Sequence, residues 1–218
     1  MSLIALAVFA IAPAMASAAP TLKEGGTTLA TGTNVVGTLN TGTNAILTAR
    51  NSSGTDVGTV TCTASTLTGS VHTNNTTNGI EVTLETVSYT GAEAGGKCAS
   101  TIPFSGPIAV DVENLHYCLK SSVFGSGTVQ GSACTAAPAR NKFTLTGSIN
   151  CTYESEAAGG ISGTYAAEDG TEATLIKSTN QKFNFVAGSG LCPAKGEFTA
   201  TYRLETDGNT NSVTIANT

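Results

Sequence analysis

The sequence has few charged residues and no tryptophan. Charged side chains make up 11% of its 218 residues, whereas typical soluble domains carry roughly 25%. Lys and Arg together number 10 against 15 Asp and Glu, which gives a net charge of −5. This balance argues against a nucleic-acid partner, because such a partner requires a basic surface. Helix-forming Glu, Lys, Gln and Arg are scarce and β-branched residues are abundant, so local propensity favours strands.

Familiar catalytic and metal-binding motifs are missing. The sequence contains neither the G-x-S-x-G of a nucleophile elbow nor the H-E-x-x-H of a zinc peptidase. Its two histidines, His72 and His116, have no nucleophile and acid at a recognisable spacing. A Ser, His and Asp site assembled from distant residues stays open, because such triads follow no fixed order. No C-x₂-C pair occurs, which argues against zinc. We therefore expect no cofactor, and we rank a secreted hydrolase below two non-enzymatic functions.

The acidic residues offer two further interpretations. Paired carboxylates would suit a glycosidase, but most acids here fall on outward strand positions or in turns, where a soluble protein keeps its charges. The segment Asp207-Gly-Asn209-Thr-Asn211 alternates oxygen ligands like the start of a calcium loop. It does not continue with the Gly and Glu that an EF-hand requires. A turn between the last two strands explains the segment equally well.

The N-terminus has the pattern of a secretory signal peptide. Residues 3–15 are almost wholly apolar, and no charge precedes Lys23. Small residues stand at Ala14, Ala16 and Ala18. The apolar run is too short to span a bilayer, which needs about 20 residues. We predict a signal peptide over residues 1–18, cleaved after Ala18, with a buried or peripheral helix as the alternative. No later stretch resembles a membrane span, so we expect a secreted or cell-surface protein.

Six cysteines follow the predicted signal peptide: Cys62, Cys98, Cys118, Cys134, Cys151 and Cys192. An even number in an exported chain indicates three disulfides, although six cysteines allow 15 pairings. The favoured pairing is sequential: Cys62–Cys98, Cys118–Cys134 and Cys151–Cys192. Cys62 and Cys151 lie on the apolar phases of alternating strands, so we expect their bridges inside the core or at its rim. The Cys118–Cys134 bridge is expected to fasten residues 121–140, the loosest stretch, as a loop or an edge hairpin.

Alternating polar and apolar residues predict an antiparallel all-β fold. Residues 143–153 and 197–205 place apolar side chains at every second position, with polar side chains between them. Residues 79–84 repeat the pattern, and the phase then slips to Val87 and Tyr89, as at a β-bulge or a strand that changes sheets. Turn-forming dipeptides separate the strands. These signals predict a β-sandwich, or a barrel-like or jelly-roll fold, of about 10–12 strands stapled by three disulfides.

The predicted mature chain consists of an arm and one domain. Residues 19–33 are polar and rich in Gly and Thr, and we expect a flexible N-terminal arm or a first strand. Residues 34–218 form the expected β-sandwich domain. The segments 58–63 and 147–152 resemble each other around one cysteine, which suggests two similar halves, 34–120 and 141–218. The alternative is that strands rich in Thr and Gly look alike through composition alone.

Two kinds of surface motif bear on partners. Sequons for N-glycosylation begin at Asn51, Asn74, Asn75 and Asn150, and the pair at 74 and 75 falls in an expected exposed turn. Glycan-binding sites usually need exposed aromatic rings. Tyr153 and Tyr202 fall on core phases, which leaves Tyr89, Tyr117 and Tyr165 available for a glycan.

The strands rich in Thr and Gly, the signal peptide and the paired cysteines resemble those of uncharacterised secreted bacterial β-sandwich proteins. More loosely, they resemble the subunits of extracellular fibrils. In such subunits an N-terminal arm completes the sheet of a neighbour by strand addition, and the arm here would present Leu22 and Leu29. We therefore expect a non-enzymatic structural or cell-surface protein whose partner is itself, in a fibril or surface layer. An adhesin-like module that binds glycan or protein is the alternative.

Overall fold

The computed structural model describes residues 18–157, 159–165, 172–208 and 212–217. The predicted signal peptide lies outside these ranges except for Ala18, as do Asn209 and Asn211 of the candidate calcium loop. Within the described ranges, no helix is long and apolar enough to cross a membrane.

The described chain folds almost entirely into strands. A single 3₁₀ turn, Ala94–Gly96, is its one helical element. The 18 strands are β1 (Thr21–Glu24), β2 (Thr27–Thr28), β3 (Asn34–Leu39), β4 (Ala45–Arg50), β5 (Asp56–Cys62), β6 (Ala64–Asn75), β7 (Gly79–Thr90), β8 (Ala99–Ser100), β9 (Ala109–Glu113), β10 (Tyr117–Val123), β11 (Ser126–Gln130), β12 (Lys142–Thr146), β13 (Asn150–Ser155), β14 (Ile161–Thr164), β15 (Glu172–Ala173), β16 (Leu175–Gly188), β17 (Lys195–Thr206) and β18 (Val213–Ala216).

Eight of these strands close into an antiparallel barrel. Their order around the barrel is β17-β3-β6-β7-β10-β11-β14-β16. The barrel closes where β16 pairs with β17, from Leu175 opposite Arg203 to Asn184 opposite Lys195. The all-β and barrel-like parts of the prediction are therefore confirmed. The sandwich is not, because strand pairing runs around the barrel without leaving two separate facing sheets.

β16 and β17 extend beyond the barrel, and their extensions pair with further strands. β17 pairs with β3 through residues 202–206 and with β4 through residues 195–199. From β4 the sheet continues to β5 and β8, and from β16 it continues to β13, β12 and β9. The two ends meet where Cys98 and Ile108 exchange backbone hydrogen bonds of 2.7 and 2.9 Å. These strands form a second ring, which shares β16 and β17 with the barrel.

A small sheet with the order β15-β18-β1-β2 packs against the barrel. β1 is an interior strand of this small sheet. Along one edge it pairs with β18, from Thr21 opposite Ala216 to Glu24 opposite Val213. Its second edge pairs with β2. Leu22 is 1% exposed and belongs to the apolar cluster inside the barrel. Residues 19–33 thus contain two short strands, one of which seals the barrel core.

Two apolar clusters fill the interior. The cluster inside the barrel is built from Leu22, Leu29, Val35, Val71, Ile80, Val82, Leu84, Tyr117, Tyr165, Ala173, Leu204, Val213 and Ile215. The cluster inside the second ring is built from Ala45, Leu47, Ala49, Val60, Cys62, Cys98, Ile102, Ile108, Leu145, Ile149, Cys151, Tyr153, Phe183, Ala200 and Tyr202. Each cluster draws on both predicted halves, 34–120 and 141–218, so the strands of the two halves interleave in space.

The phase slip in β7 is a β-bulge, the first of the two predicted alternatives. Thr68 of β6 lies opposite Thr86, and the next residue, Gly69, lies opposite Leu84. Glu85 is therefore the extra residue in β7. A strand's side chains alternate between its two faces, so one extra residue reverses the alternation. Ile80, Val82 and Leu84 face inward before the bulge, and Val87 and Tyr89 face inward after it.

Two segments differ from the expected strands. Residues 142–155 are a hairpin in which Phe143 lies opposite Tyr153, because the polypeptide turns at residues 147–149. A Cβ at Gly147 would lie 2.5 Å from the carbonyl oxygen of Ser105, so the tight turn requires glycine. The expected loop or edge hairpin at residues 121–140 is also wrong in part. The β10–β11 hairpin lies inside the barrel sheet between β7 and β14, and only the residues after Gln130 leave it.

Candidate functional site

The three disulfides pair sequentially, as predicted: Cys62–Cys98, Cys118–Cys134 and Cys151–Cys192. Cys62 and Cys151 are 3% and 1% exposed, which confirms their place in the core. The Cys118–Cys134 bridge fastens the loop after Gln130 to β10, as expected, but it does so from a buried position. Cys118 is completely buried and Cys134 is 8% exposed, because β10 lies inside the barrel sheet. Cys192 is the one half-buried cysteine.

The two histidines lie on the surface and apart from any catalytic arrangement of the described residues. His72 is exposed on β6, and its Nε2 lies 4.0 Å from Oε2 of Glu81. Glu81 also accepts a hydrogen bond from the Thr73 hydroxyl at 2.9 Å and pairs with Nζ of Lys120 at 3.2 Å. His116 is exposed in the β9–β10 loop. Over the described ranges, no three His, Cys, Asp or Glu side chains gather in a way that could hold a metal ion.

One carboxylate is held firmly in its ionised form. The Thr144 hydroxyl and the Lys142 ammonium both donate to Glu113, and together they lower the pKa of this carboxyl below its usual value. A glycosidase acid needs the opposite shift, because it must carry a proton at neutral pH. Glu113 therefore acts as an anchor between β9 and β12.

Asn74 of β6 binds the N-terminal strand through its side chain. Its Oδ1 accepts a hydrogen bond from the Leu22 amide at 2.7 Å, and its Nδ2 donates to the carbonyls of Leu22 and Leu29, each at 2.9 Å. The backbone nitrogen of Ala19 donates to Thr76 at 3.0 Å in the adjoining turn. The sequence indicated Asn74 only as a sequon; its contact with the arm emerges from the fold.

The sequon asparagines differ in accessibility. Asn75 and Asn150 are exposed, whereas Asn51 and Asn74 are half-buried. Asn75 uses Oδ1 to accept backbone hydrogen bonds from Thr77 and Asn78, which shapes the turn. Glycosylation at the four positions stays a prediction, with Asn75 and Asn150 sterically favoured.

All five tyrosines contribute to the cores. Tyr117 and Tyr165 are 5% exposed, so the expectation that they are available to a glycan is wrong. Tyr89 is half-buried and packs edge-on against Phe198. Burial raises the pKa of each of the five tyrosines, that of Tyr117 to about 12. The hydroxyls of Tyr165 and Tyr202 pair with Ser121 and Ser65 at 2.6 and 3.0 Å.

The barrel interior contains a cavity of about 150 Å³ that continues between the two apolar clusters. Leu22 and Ile215 of the small sheet line it, together with aliphatic and aromatic side chains of both rings. Asn141 also lines it, is 4% exposed, and has a buried Nδ2 with no hydrogen-bond partner among the described residues. Sequence reasoning gave no sign of this position, which precedes β12 in a polar stretch.

A second concavity, of about 390 Å³, opens at the surface of the second ring. Its rim carries Phe104 and Leu191, which are 79% and 60% exposed. Phe104 has φ of 64°, a left-handed conformation that is rare for a bulky side chain. Asn51 and Ser52 supply polar groups to its lining. This surface hollow was also missed from the sequence, because Phe104 stands outside any alternating strand.

No family model, no curated protein and no solved structure matches this chain. The candidate functions therefore depend on the chain's own geometry.

Proposed function

We propose that this chain is an exported, non-enzymatic structural protein that assembles by exchanging its N-terminal arm, residues 19–33, between copies. The observation that carries the proposal is the burial of Leu22. This terminal segment places its apolar side chain, 1% exposed, inside the barrel. A segment of this kind can fill its own barrel or the barrel of a neighbour.

Exchange would preserve the arm's contacts. β1 would pair with β18 of the accepting copy, and Leu22 would meet the Asn74 side chain there. Only the last residues of the arm, 30–33, would change their course. Swapping an identical element between copies is a low-cost route to assembly, because each lost contact is replaced by an equivalent one. If each copy donates to the next without closing a ring, the product is a fibre.

The disulfides support a role outside the cytoplasm. Three bridges join residues 36, 16 and 41 positions apart, and such bridges persist in oxidising compartments. Each restricts the unfolded chain, which in the chain-entropy model stabilises the fold by roughly 3–4 kcal/mol. A surface with few charges also favours close packing of copies, since little like-charge repulsion opposes it.

A cysteine pair across the β1–β18 ladder tests the exchange directly. Lys23 lies opposite Thr214, and both are half-buried on the ladder. Neighbouring antiparallel residues stand about 4.5–5.5 Å apart between Cα atoms, within disulfide reach. All native cysteines are already bridged, so the Lys23→Cys/Thr214→Cys variant reports on the new pair alone.

Oxidation at low concentration should link the pair within one chain. Oxidation of concentrated, assembled protein should give a ladder of covalent oligomers on a non-reducing gel, with fibres in negative-stain images. The single variant Lys23→Cys serves as control and should stop at dimers. Purely intramolecular linkage at every concentration, with no fibres, would refute arm exchange.

The surface hollow favours a second candidate function, binding of a neutral glycan. An exposed ring such as Phe104 can stack on the apolar face of a sugar, and Asn51 and Ser52 offer hydrogen-bonding groups nearby. Among the described residues that line it, none carries a charged side chain, which suits an uncharged sugar. A glycan array should give hits that Phe104→Ala removes and that a change at Val123, exposed elsewhere, leaves intact. An array without hits would eliminate this candidate.

A further inference from the structure

The cavity inside the barrel offers a neutral, apolar environment. Its lining is dominated by side chains of the two clusters. The one charged residue of the described lining, Lys142, directs its ammonium to Glu113, 3.0 Å from Oε2, so the charge is satisfied by an ion pair. A charged ligand would find no counter-ion among the described residues inside, and burying an unpaired charge is very unfavourable.

The side chain of Asn141 has an orientation fixed by its hydrogen bonds, and its Nδ2 donor has no partner among the described residues. Its Oδ1 accepts a hydrogen bond from the backbone amide of Ile161 at 3.2 Å. Its backbone amide donates to Oγ of Ser155 at 3.0 Å, and its carbonyl accepts from the Ser155 amide at 2.8 Å. The amide orientation is determined by the donor at Ile161, since a flipped side chain would place two donors together.

The remaining group, Nδ2, is therefore a buried donor without a partner among the described residues. Buried donors are nearly always satisfied in folded proteins, and an exception calls for a specific explanation. A ligand with an acceptor atom would satisfy this one.

We propose that the barrel interior binds a small, neutral, largely apolar molecule carrying one acceptor oxygen, such as a phenol, a small ketone or an alcohol. The apolar part occupies the cavity, and the oxygen accepts a hydrogen bond from Nδ2 of Asn141. An apolar cavity of about 150 Å³ is large enough for a benzene-sized molecule. Leu22 and Ile215 close the cavity on the side of the small sheet, so the arm that seals the barrel also covers the ligand.

Two matched probes test the site on the oxidised chain from residue 19 onward. Phenol and benzene have similar size, but only phenol carries an acceptor oxygen. Their dissociation constants are measured by titration calorimetry and by NMR shifts of the Val129 and Ile161 methyl groups, which line the cavity near Asn141. Asn141→Leu removes the donor at nearly constant volume, and Asn150→Leu, at an exposed position, is the control.

The ratio of benzene to phenol dissociation constants should fall about tenfold in Asn141→Leu and stay unchanged in Asn150→Leu. Should Asn141→Leu fail to fold, Asn141→Ala also removes the donor without introducing a charge or a new donor, and the same fall is expected. An unchanged ratio in the folded variant would overturn the role of Asn141. Failure of both probes to bind the native chain up to their solubility would overturn the ligand site, without bearing on exchange of the arm.

Discussion

The carboxamide of Asn74 forms hydrogen bonds with both the backbone N–H and the backbone carbonyl of Leu22. Oδ1 accepts from the Leu22 amide at 2.7 Å, and Nδ2 donates to the Leu22 carbonyl at 2.9 Å, across a separation of 52 residues. The same Nδ2 group also donates to Leu29. One side chain of β6 thus joins the backbones of Leu22 and Leu29, beside the 3.0 Å hydrogen bond from the Leu29 amide to the Leu22 carbonyl, and fixes where Leu22 enters the barrel.

Replacing Asn74 should loosen the arm. Asn74→Ala removes three hydrogen bonds and leaves partly buried backbone groups unpaired, which should lower the free energy of unfolding by about 1–3 kcal/mol. Chemical denaturation measures the loss, and hydrogen exchange at the Leu22 and Leu29 amides locates it. Asn75→Ala, at the exposed neighbouring position, should leave both amides protected. Equal protection in the two variants would contradict this role.

Gly160 should tolerate no side chain. Its φ is +84°, and a Cβ there would lie 1.8 Å from the Val129 carbonyl oxygen and 2.6 Å from Oδ1 of Asn141. Gly160→Ala should therefore cost at least about 2 kcal/mol of stability, measured by urea denaturation. The adjacent Gly159 is an internal control, because a Cβ added at that position would meet no other atom within 4 Å among the described residues. Gly159→Ala should stay within about 0.5 kcal/mol, and similar losses in both would refute the steric argument.

The bridges should differ in their resistance to reduction. A thiolate must reach a sulfur atom to open a disulfide, and Cys192 is half-buried while the other five cysteines are buried. Mild reductant at neutral pH should therefore open Cys151–Cys192 first. Alkylation followed by peptide mass spectrometry identifies the labelled cysteines over time. Simultaneous labelling of all six would indicate instead that reduction proceeds through global unfolding.

The tyrosines should resist ionisation until the fold opens. Burial raises the pKa of all five, to about 12 for Tyr117, whereas an unfolded tyrosine titrates near 10. Because the folded pKa is the higher, the native state is stable below pH about 10 and loses stability as the pH rises toward the folded pKa values. Phenolate absorbance at about 295 nm should appear late and cooperatively in native protein, but near pH 10 in denaturant. Independent titration of several tyrosines near pH 10 in native protein would contradict their burial.

Local patterns in the sequence carry much of this fold. The alternation that places Val60 and Cys62 inward is a property of neighbouring residues, and so is the phase slip that marks the bulge at Glu85. The sequential disulfide pairing was favoured among 15 possibilities, and the structure confirms it. The alternation and the phase slip are patterns that repeat every two residues, whereas the bridges join residues 16 to 41 positions apart.

Closure of the barrel is a different kind of property. It depends on the pairing of β16 with β17. The second ring depends on β17 dividing its edge between β3 and β4 and on the bridge between Cys98 and Ile108. Period-two patterns do not indicate which strands become neighbours. Asn141 was missed for a related reason. Its available donor becomes visible only when the Ile161 and Ser155 groups that occupy its other atoms are in place.

The pairing of β1 with β18 has a consequence for folding during synthesis. Thr21 lies opposite Ala216, so the ladder cannot form until nearly all of the sequence up to that residue has been made. Until then β1 cannot pair with β18 of its own chain, and contacts of such long sequence separation form slowly. Through that interval Leu22 and an unpaired strand edge are open to other nascent chains, a state prone to intermolecular pairing. The order of synthesis therefore creates an interval, before the monomer is complete, in which a neighbouring chain competes for the arm.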